Sequence, residues 1–200
     1  FVDLPTGEPD DDRTADGVFR HLAPGEAVPF PLAMAAAVLQ WRYWAGPATD
    51  TVHATLTKSA AARLTAALRK ALRLSNDECD AIEQTLAGLE PLLKPQPPSV
   101  ALLKRFLARP TAGFSRALLS AMQSAGVVDP ARAADLATEL ARLEQTDYAP
   151  PPLITGDDLT AAGIRPGPVF KRMLDAAYDA QLEGRAATFA EALEVALSLR

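Results

Sequence analysis

The chain has 200 residues, 48% of them hydrophobic, with a formal net charge of −5 and a pI near 5.1. That length and apolar content can bury a sizeable core, as one domain or two small ones. The whole-chain charge is not that of an obviously basic nucleic-acid binder, although binding depends on local patches.

A single cysteine, Cys79, excludes an internal disulfide framework and is compatible with a reducing compartment. No apolar run approaches the roughly 20 residues of a bilayer span, so no membrane partner is expected and a cytoplasmic location is. The opening "FVDLPTGEPDDDR" is acidic and polar, unlike a signal peptide. A first residue of Phe1 suggests a fragment or a processed chain.

Residues 1–30, rich in Asp, Gly and Pro, read as an extended entry segment or linker. From Pro31 to about Trp44 apolar residues recur at helical spacing, with Pro31 suited to a first turn. After a loop, a helix is expected from about Thr57 to Leu72, with Leu56, Ala60, Leu64, Ala67, Leu68 and Leu72 as its stripe. Ser75 and Glu78 then form a capping-box signature for a helix that buries Ile82, Leu86, Leu89 and Leu93. "KPQPP" ends that helix, because proline removes donors and drives its predecessor from the helical region.

Shorter helices follow near Ser99–Ala108 and Phe114–Ala125, and Asp129-Pro130 opens one running to about Glu144. "APPP" at 149–152 marks a boundary between a helical body, 31–148, and a helical tail, 149–200. The tail reads as a short helix near 156–162, a longer one near 167–183 and a last one from Thr188, where Thr188 and Glu191 repeat the capping signature. Gly184 fits a helix C-terminus. No sustained period-two alternation and no fixed repeat are found. The expected class is all-α, an irregular multi-helix body followed by a small helical tail.

Catalytic signals are sparse. His21 and His53 lie in expected loops without a metal-ligand pattern, so structural or surface roles are favoured for both. Cys79 has acidic neighbours that oppose a thiolate. Asp10, Asp11 and Asp12 read as solvated charge in a polar segment, the rival being a metal site. No phosphate-binding glycine loop occurs.

Local charge says more. From Thr51 to Asn76 there is no acid, but Lys58, Arg63, Arg69, Lys70 and Arg73 are present. From Pro91 to Val128 acids are again absent, with Lys94, Lys104, Arg105, Arg109 and Arg116 present. These stretches could line a positive surface that meets phosphates, or their bases could pair with acids on neighbouring helices. Both readings stay open on charge alone.

The stretch "PPLITGDDLTAAGIRPGPVFKRMLDAAYDAQLEG" carries an ordered pattern: Leu153, Gly156, Asp158, Leu159, Gly163, Pro166, Gly167, Pro168, Leu174, Gln181, Leu182 and Gly184. It resembles the C-terminal segment of bacterial tRNA nucleotidyltransferases, the CCA-adding enzymes and their poly(A) polymerase relatives. Upstream, "FPLAMAAAVL", "LRLSNDECDAIEQTL" and "FLARPTAGFSRALLSAMQSAG" are similar to body-domain segments of that family. The resemblance covers roughly residues 30 to 200.

It implies a helical body and tail that hold tRNA. The catalytic head, which would use Mg²⁺ with CTP or ATP, has no counterpart here, so no cofactor and no catalytic residue are expected in these residues. The HD phosphohydrolase doublet of some relatives is replaced by Gln40-Trp41-Arg42, and a frequent glycine after "PGP" is replaced by Lys171.

The candidate RNA-binding residues are Lys171, Arg172, Arg165, Gly167, Gly156, Lys104, Arg105, Arg109, Lys70 and Arg73. In the bottom-up reading, Thr155 and Asp158 cap the short helix, Gly163 ends it, and Pro166 and Pro168 fix entry to the next. The stripe of that next helix is Val169, Phe170, Met173, Leu174, Ala177, Tyr178 and Leu182. Two helix N-termini close in sequence would offer unpaired N–H groups to phosphate oxygens. A corner that only packs is the bland reading of the same residues. The rival for the whole chain is a helical protein-interaction or dimerisation module without RNA contacts; a homo-oligomer has no specific support in the sequence.

Overall fold

A computed structural model describes residues 17–22, 27–44 and 56–200; of residues 42–44 it describes only the backbone. Asp10 to Asp12 and His53 lie outside the described residues. Among those described, the chain is all-helical, with no strand. It divides into two compact units, the first holding residues up to Pro97 and Arg109–Glu139, the second Pro98–Ala108 and Leu140–Arg200.

The first unit begins with one 3-10 turn, Val18–His21. Within the expected entry segment this turn is anchored: Val18 and Leu22 are buried, and the Phe19 N–H donates to Gln40 Oε1 at 2.8 Å. Helix α1, Phe30–Trp44, carries Pro31 in its first turn, where a missing N–H costs nothing. It buries Leu32, Ala35, Ala36, Val38 and Leu39.

Helix α2, Lys58–Leu72, is capped by Thr57, whose side chain accepts from the Ala60 N–H at 3.3 Å. Its buried face is rotated from the expected stripe. Ala61 and Thr65 face inward, while Ala67 is exposed and Leu72 is 52% exposed. Thr65 tolerates burial because its hydroxyl donates to the Ala61 carbonyl at 2.9 Å, within its own helix. Arg73 ends the helix in the left-handed region (φ 55°, ψ 42°), and this turn returns the chain so that Leu74, not Leu72, is buried.

Ser75 and Glu78 form the expected reciprocal cap of helix α3, Asn76–Leu89. Its Ile82, Leu86 and Leu89 are fully buried, and Leu93 follows at 3% exposure. Helix α5, Ala112–Ser124, packs on α1 and α3 and buries Leu118, Ala121 and Met122. Gly88 permits its approach, since a Cβ there would lie 2.8 Å from Ser115 Oγ. Helix α6, Pro130–Glu144, buries Ala133 and Leu136 in this unit, and its last residues, from Leu140, belong to the second.

The second unit contains helix α4, Val100–Leu107, with α7, Gly156–Ala161, α8, Pro168–Leu182, and α9, Phe189–Leu197. Its core joins Ile154, Leu159 and Met173 to alanines 177, 180, 186, 192 and 196. Small residues at these positions let α8 and α9 pack closely. Val169, expected in the buried stripe of α8, is 42% exposed, whereas Ala180, outside that stripe, is fully buried. In the first turn Phe170 makes the inward contact instead, against Gly156. A six-residue helix such as α7 cannot stand alone. It is held by the fully buried Leu159, a burial contributing roughly 1.5–3 kcal/mol.

Candidate nucleic-acid interface

Each unit carries part of the expected basic set. On the first unit, α2 has no acid along its length, and Lys58, Arg63, Arg69, Lys70 and Arg73 are all exposed. None of the five pairs with a described residue. Helical spacing puts Arg63 and Lys70 on one line of α2 and Arg69 on the next, with Ala66 between them, and Arg73 follows at the left-handed end of the helix. The expected pair Lys70 and Arg73 is therefore one end of a longer basic face. The small residue between the cations leaves room for a phosphate backbone to approach.

Arg109 also belongs to the first unit, whereas Lys104 and Arg105, only a few residues earlier, belong to the second. The acid-free run from 91 to 128 is thus not one surface. A turn ends α4 at Leu107, and the chain passes from one compact unit to the other.

In the second unit Lys104 is half-buried and Arg105 is engaged. Arg105 Nε donates to Asp179 Oδ1 at 2.6 Å, and its Nη2 donates to the Asp175 carbonyl at 3.1 Å. Its Nη2 also lies 3.5 Å from Asp175 Oδ1, and its guanidinium sits 4.9 Å from the centre of the Tyr178 ring. This is the pairing with acids of a neighbouring helix that the charge pattern left open. Arg105 holds α4 on α8.

Tyr178 and Gln181 continue that ladder. The Tyr178 hydroxyl donates to the Pro150 carbonyl at 2.9 Å. Gln181 donates to the Pro151 carbonyl at 2.8 Å and accepts from the Leu153 N–H at 2.9 Å. The proline segment, unable to make its own ladder, is fastened to α8 by these two side chains.

Around "GDDLTAAGIRPGP" the local expectations divide. Thr155 donates both its backbone N–H and its hydroxyl to Asp158 Oδ2, each at 2.7 Å. The hydroxyl bond first, then the backbone bond, holds the Asp158 carboxyl below its ordinary range. Gly163 is left-handed (φ 80°), and the Ile164 N–H donates to the Leu159 carbonyl at 3.0 Å, closing the helix end.

Some of the open backbone donors expected at the two helix N-termini are taken. At α7 the negative charge beside the first turn is the chain's own Asp158. At α8, Pro168 has no N–H, and the Phe170 N–H donates to the Gly167 carbonyl at 3.0 Å. Gly156 serves packing, because a Cβ there would lie 3.2 Å from Phe170 Cε1. Gly167 is extended backbone, and a Cβ there would make only an ordinary contact, 3.8 Å from the Arg165 carbonyl oxygen.

What the corner does present is cationic side chains. Arg165, Lys171 and Arg172 are exposed, and none pairs with a described residue. Lys171 closes the first turn of α8 and Arg172 follows it, near the end where the helix dipole disfavours positive charge. An external anion would reverse that penalty.

His21 Nε2 is buried with no hydrogen-bond partner among the described residues, and Cys79 is half-buried. No group of three or more metal-ligating side chains occurs among the described residues, and none of their helices is long and apolar enough to cross a membrane. Comparison with protein-family models, curated proteins and solved structures yields no match to the chain.

Proposed function

We propose that these residues form the body and tail of a CCA-adding-type tRNA nucleotidyltransferase, gripping tRNA through its phosphates for a catalytic head outside the sequence described here. The observation that carries this reading is the exposed trio Arg165, Lys171 and Arg172 at the corner between α7 and α8, while nearby Asp158, Asp175 and Asp179 are occupied within the unit. The basic face of α2 supports it from the first unit. The pattern behind the resemblance has local physical roles here: Leu159 is core, Gly163 and Gly184 are left-handed, and Gln181 fastens the proline segment.

Such a grip reads phosphate and shape with little base recognition. In filter binding of the chain to tRNA at a series of salt concentrations, affinity should fall log-linearly with salt, with a slope set by the number of phosphates neutralised. No binding at low salt, or none beyond that of an unrelated acidic protein, sinks the reading.

A protein-interaction role is favoured by a different observation. Val169, Phe189 and Leu199 of the second unit remain 42%, 49% and 40% exposed. A tRNA affinity that is insensitive to Lys171→Glu with Arg172→Glu selects that role.

A further inference from the structure

A cleft of about 370 Å³ opens on the first unit, remote in sequence from the α7–α8 corner, and three cations line it. Lys58 opens α2, Lys94 lies in the turn after α3, and Arg109 lies just before α5. Like charges drawn together from three separate elements repel one another unless something negative offsets them. Glu83 and Glu90 of the same lining do so in part, Glu90 with its Oε1 3.7 Å from Lys94 Nζ, and one positive charge is left over. The Lys58 and Arg109 side chains have no hydrogen-bond or ion-pair partner among the described residues.

Arg109 lies beside a glycine of α3 whose tight neighbour is Ser115. Gly88 sits inside α3, where glycine costs about 1 kcal/mol relative to alanine. A Cβ at that position would lie 3.5 Å from Arg109 Nη1 and 2.8 Å from Ser115 Oγ. Arg109 lines the cleft together with Glu83, Gln84 and Ala87 of α3.

We infer that this cleft binds the phosphate monoester of a small ligand that also carries hydroxyl groups. Arg109 offers a planar fork suited to two phosphate oxygens, and Lys58 adds a point charge. Glu83 and Gln84, adjacent on α3, supply acceptors for hydroxyl donors. The volume is at the small end of the range for ligand sites, which suits a sugar phosphate or a mononucleotide and excludes a duplex. The group has two sources, a free phosphorylated molecule or the 5′-phosphate of an RNA strand. The inference stands on the first unit alone and does not depend on the role of the α7–α8 corner.

The test is calorimetric titration of the 200-residue chain with ribose 5-phosphate, ribose and inorganic phosphate. Two RNA oligonucleotides that differ only in a 5′-phosphate or 5′-hydroxyl complete the set. Saturable binding of ribose 5-phosphate, or a preference for the 5′-phosphorylated strand, is expected, and which of the two occurs names the source. Arg109→Gln should weaken it roughly ten- to a hundred-fold, the range for one charge-assisted hydrogen bond. Ala87→Phe should block it by volume with charge unchanged, and far-UV circular dichroism checks that both variants fold. No saturable binding of either phosphate source at millimolar concentration, or binding that both variants leave intact, overturns the inference. Lys171→Glu with Arg172→Glu should leave cleft binding intact even where tRNA affinity is lost, so the two readings fail separately.

Discussion

Arg105 Nε donates to Asp179 Oδ1 at 2.6 Å across a sequence separation of 74 residues. The same guanidinium reaches the Asp175 carbonyl and lies over Tyr178, so one side chain ties α4 to the second half of α8. Its carboxylate partners are 43% and 48% exposed, which screens the ion pairs heavily.

Arg105→Gln should therefore lower stability by only about 1 kcal/mol, the sum of screened pairs and a surface cation–π contact. For a chain of this size that is a fall of roughly 2–4 °C in Tm. Arg105→Lys should recover little, because a point charge cannot serve the carboxylate and the carbonyl together. Thermal unfolding followed by circular dichroism measures both. The salt slope of tRNA binding should stay unchanged in Arg105→Gln, since this cation is already paired; a smaller slope would return Arg105 to the RNA-contacting set.

Gly163 and Gly167 provide a contrast within one turn. Gly163 is left-handed at φ 80°, so Gly163→Ala should destabilise by about 1–2 kcal/mol, and Gly163→Asn by less. Gly167 is extended, and a Cβ there would meet only the Arg165 carbonyl oxygen at an ordinary 3.8 Å, so Gly167→Ala should change stability little. Urea midpoints of the three variants decide this. Equal losses at both positions would mean that backbone conformation is not what these glycines supply.

The helices and their caps were legible in the sequence because they are local. Ser75 with Glu78 and Thr188 with Glu191 each place both partners within one turn, and left-handed Gly163 and Gly184 need only their own backbone. The orientation of α2 was not legible. Thr65 counts as polar in a hydrophobic pattern, yet its hydroxyl is satisfied within its helix and it turns inward, while Leu72 yields its place to Leu74. Nor does the stripe of α4 say what covers it, since its partner α8 lies some seventy residues on. The basic residues were visible as a set, but their sorting into paired Arg105, exposed Lys171 and cleft-lining Arg109 is tertiary.

Acid should loosen the caps. Hydrogen bonds to the charged carboxylate hold three groups below their ordinary values. Glu78 is held chiefly by the Ser75 N–H, Asp158 by the Thr155 hydroxyl and Glu191 by the Ala187 N–H. A carboxylate whose folded pKa is depressed contributes stability that is complete above its unfolded value and is lost as pH falls through the folded one. The loss should begin near 4.5 for the two glutamates and near 3.8 for Asp158, and grow below. Urea midpoints between neutral pH and pH 3 should show it, and Glu78→Gln with Glu191→Gln should flatten the curve. A double variant with an unaltered acid limb would remove these two caps from the account.

Lys171 and Arg172 set stability against binding. Lys171 closes the first turn of α8, where the dipole favours anions, Arg172 follows it, and no described residue pairs with either. Reversing Lys171 to Glu should raise stability by about 0.3–1 kcal/mol at low salt, with the gain fading as salt screens it. The same change should weaken tRNA binding and, with Arg172→Glu, reduce the salt slope by roughly one for each phosphate that is no longer neutralised. Parallel thermal melts and filter-binding titrations read the two effects from one protein. A variant that gains stability and keeps its tRNA affinity would show that these charges face solvent only, and would leave the exposed Val169 and Phe189 as the surface to probe with protein partners.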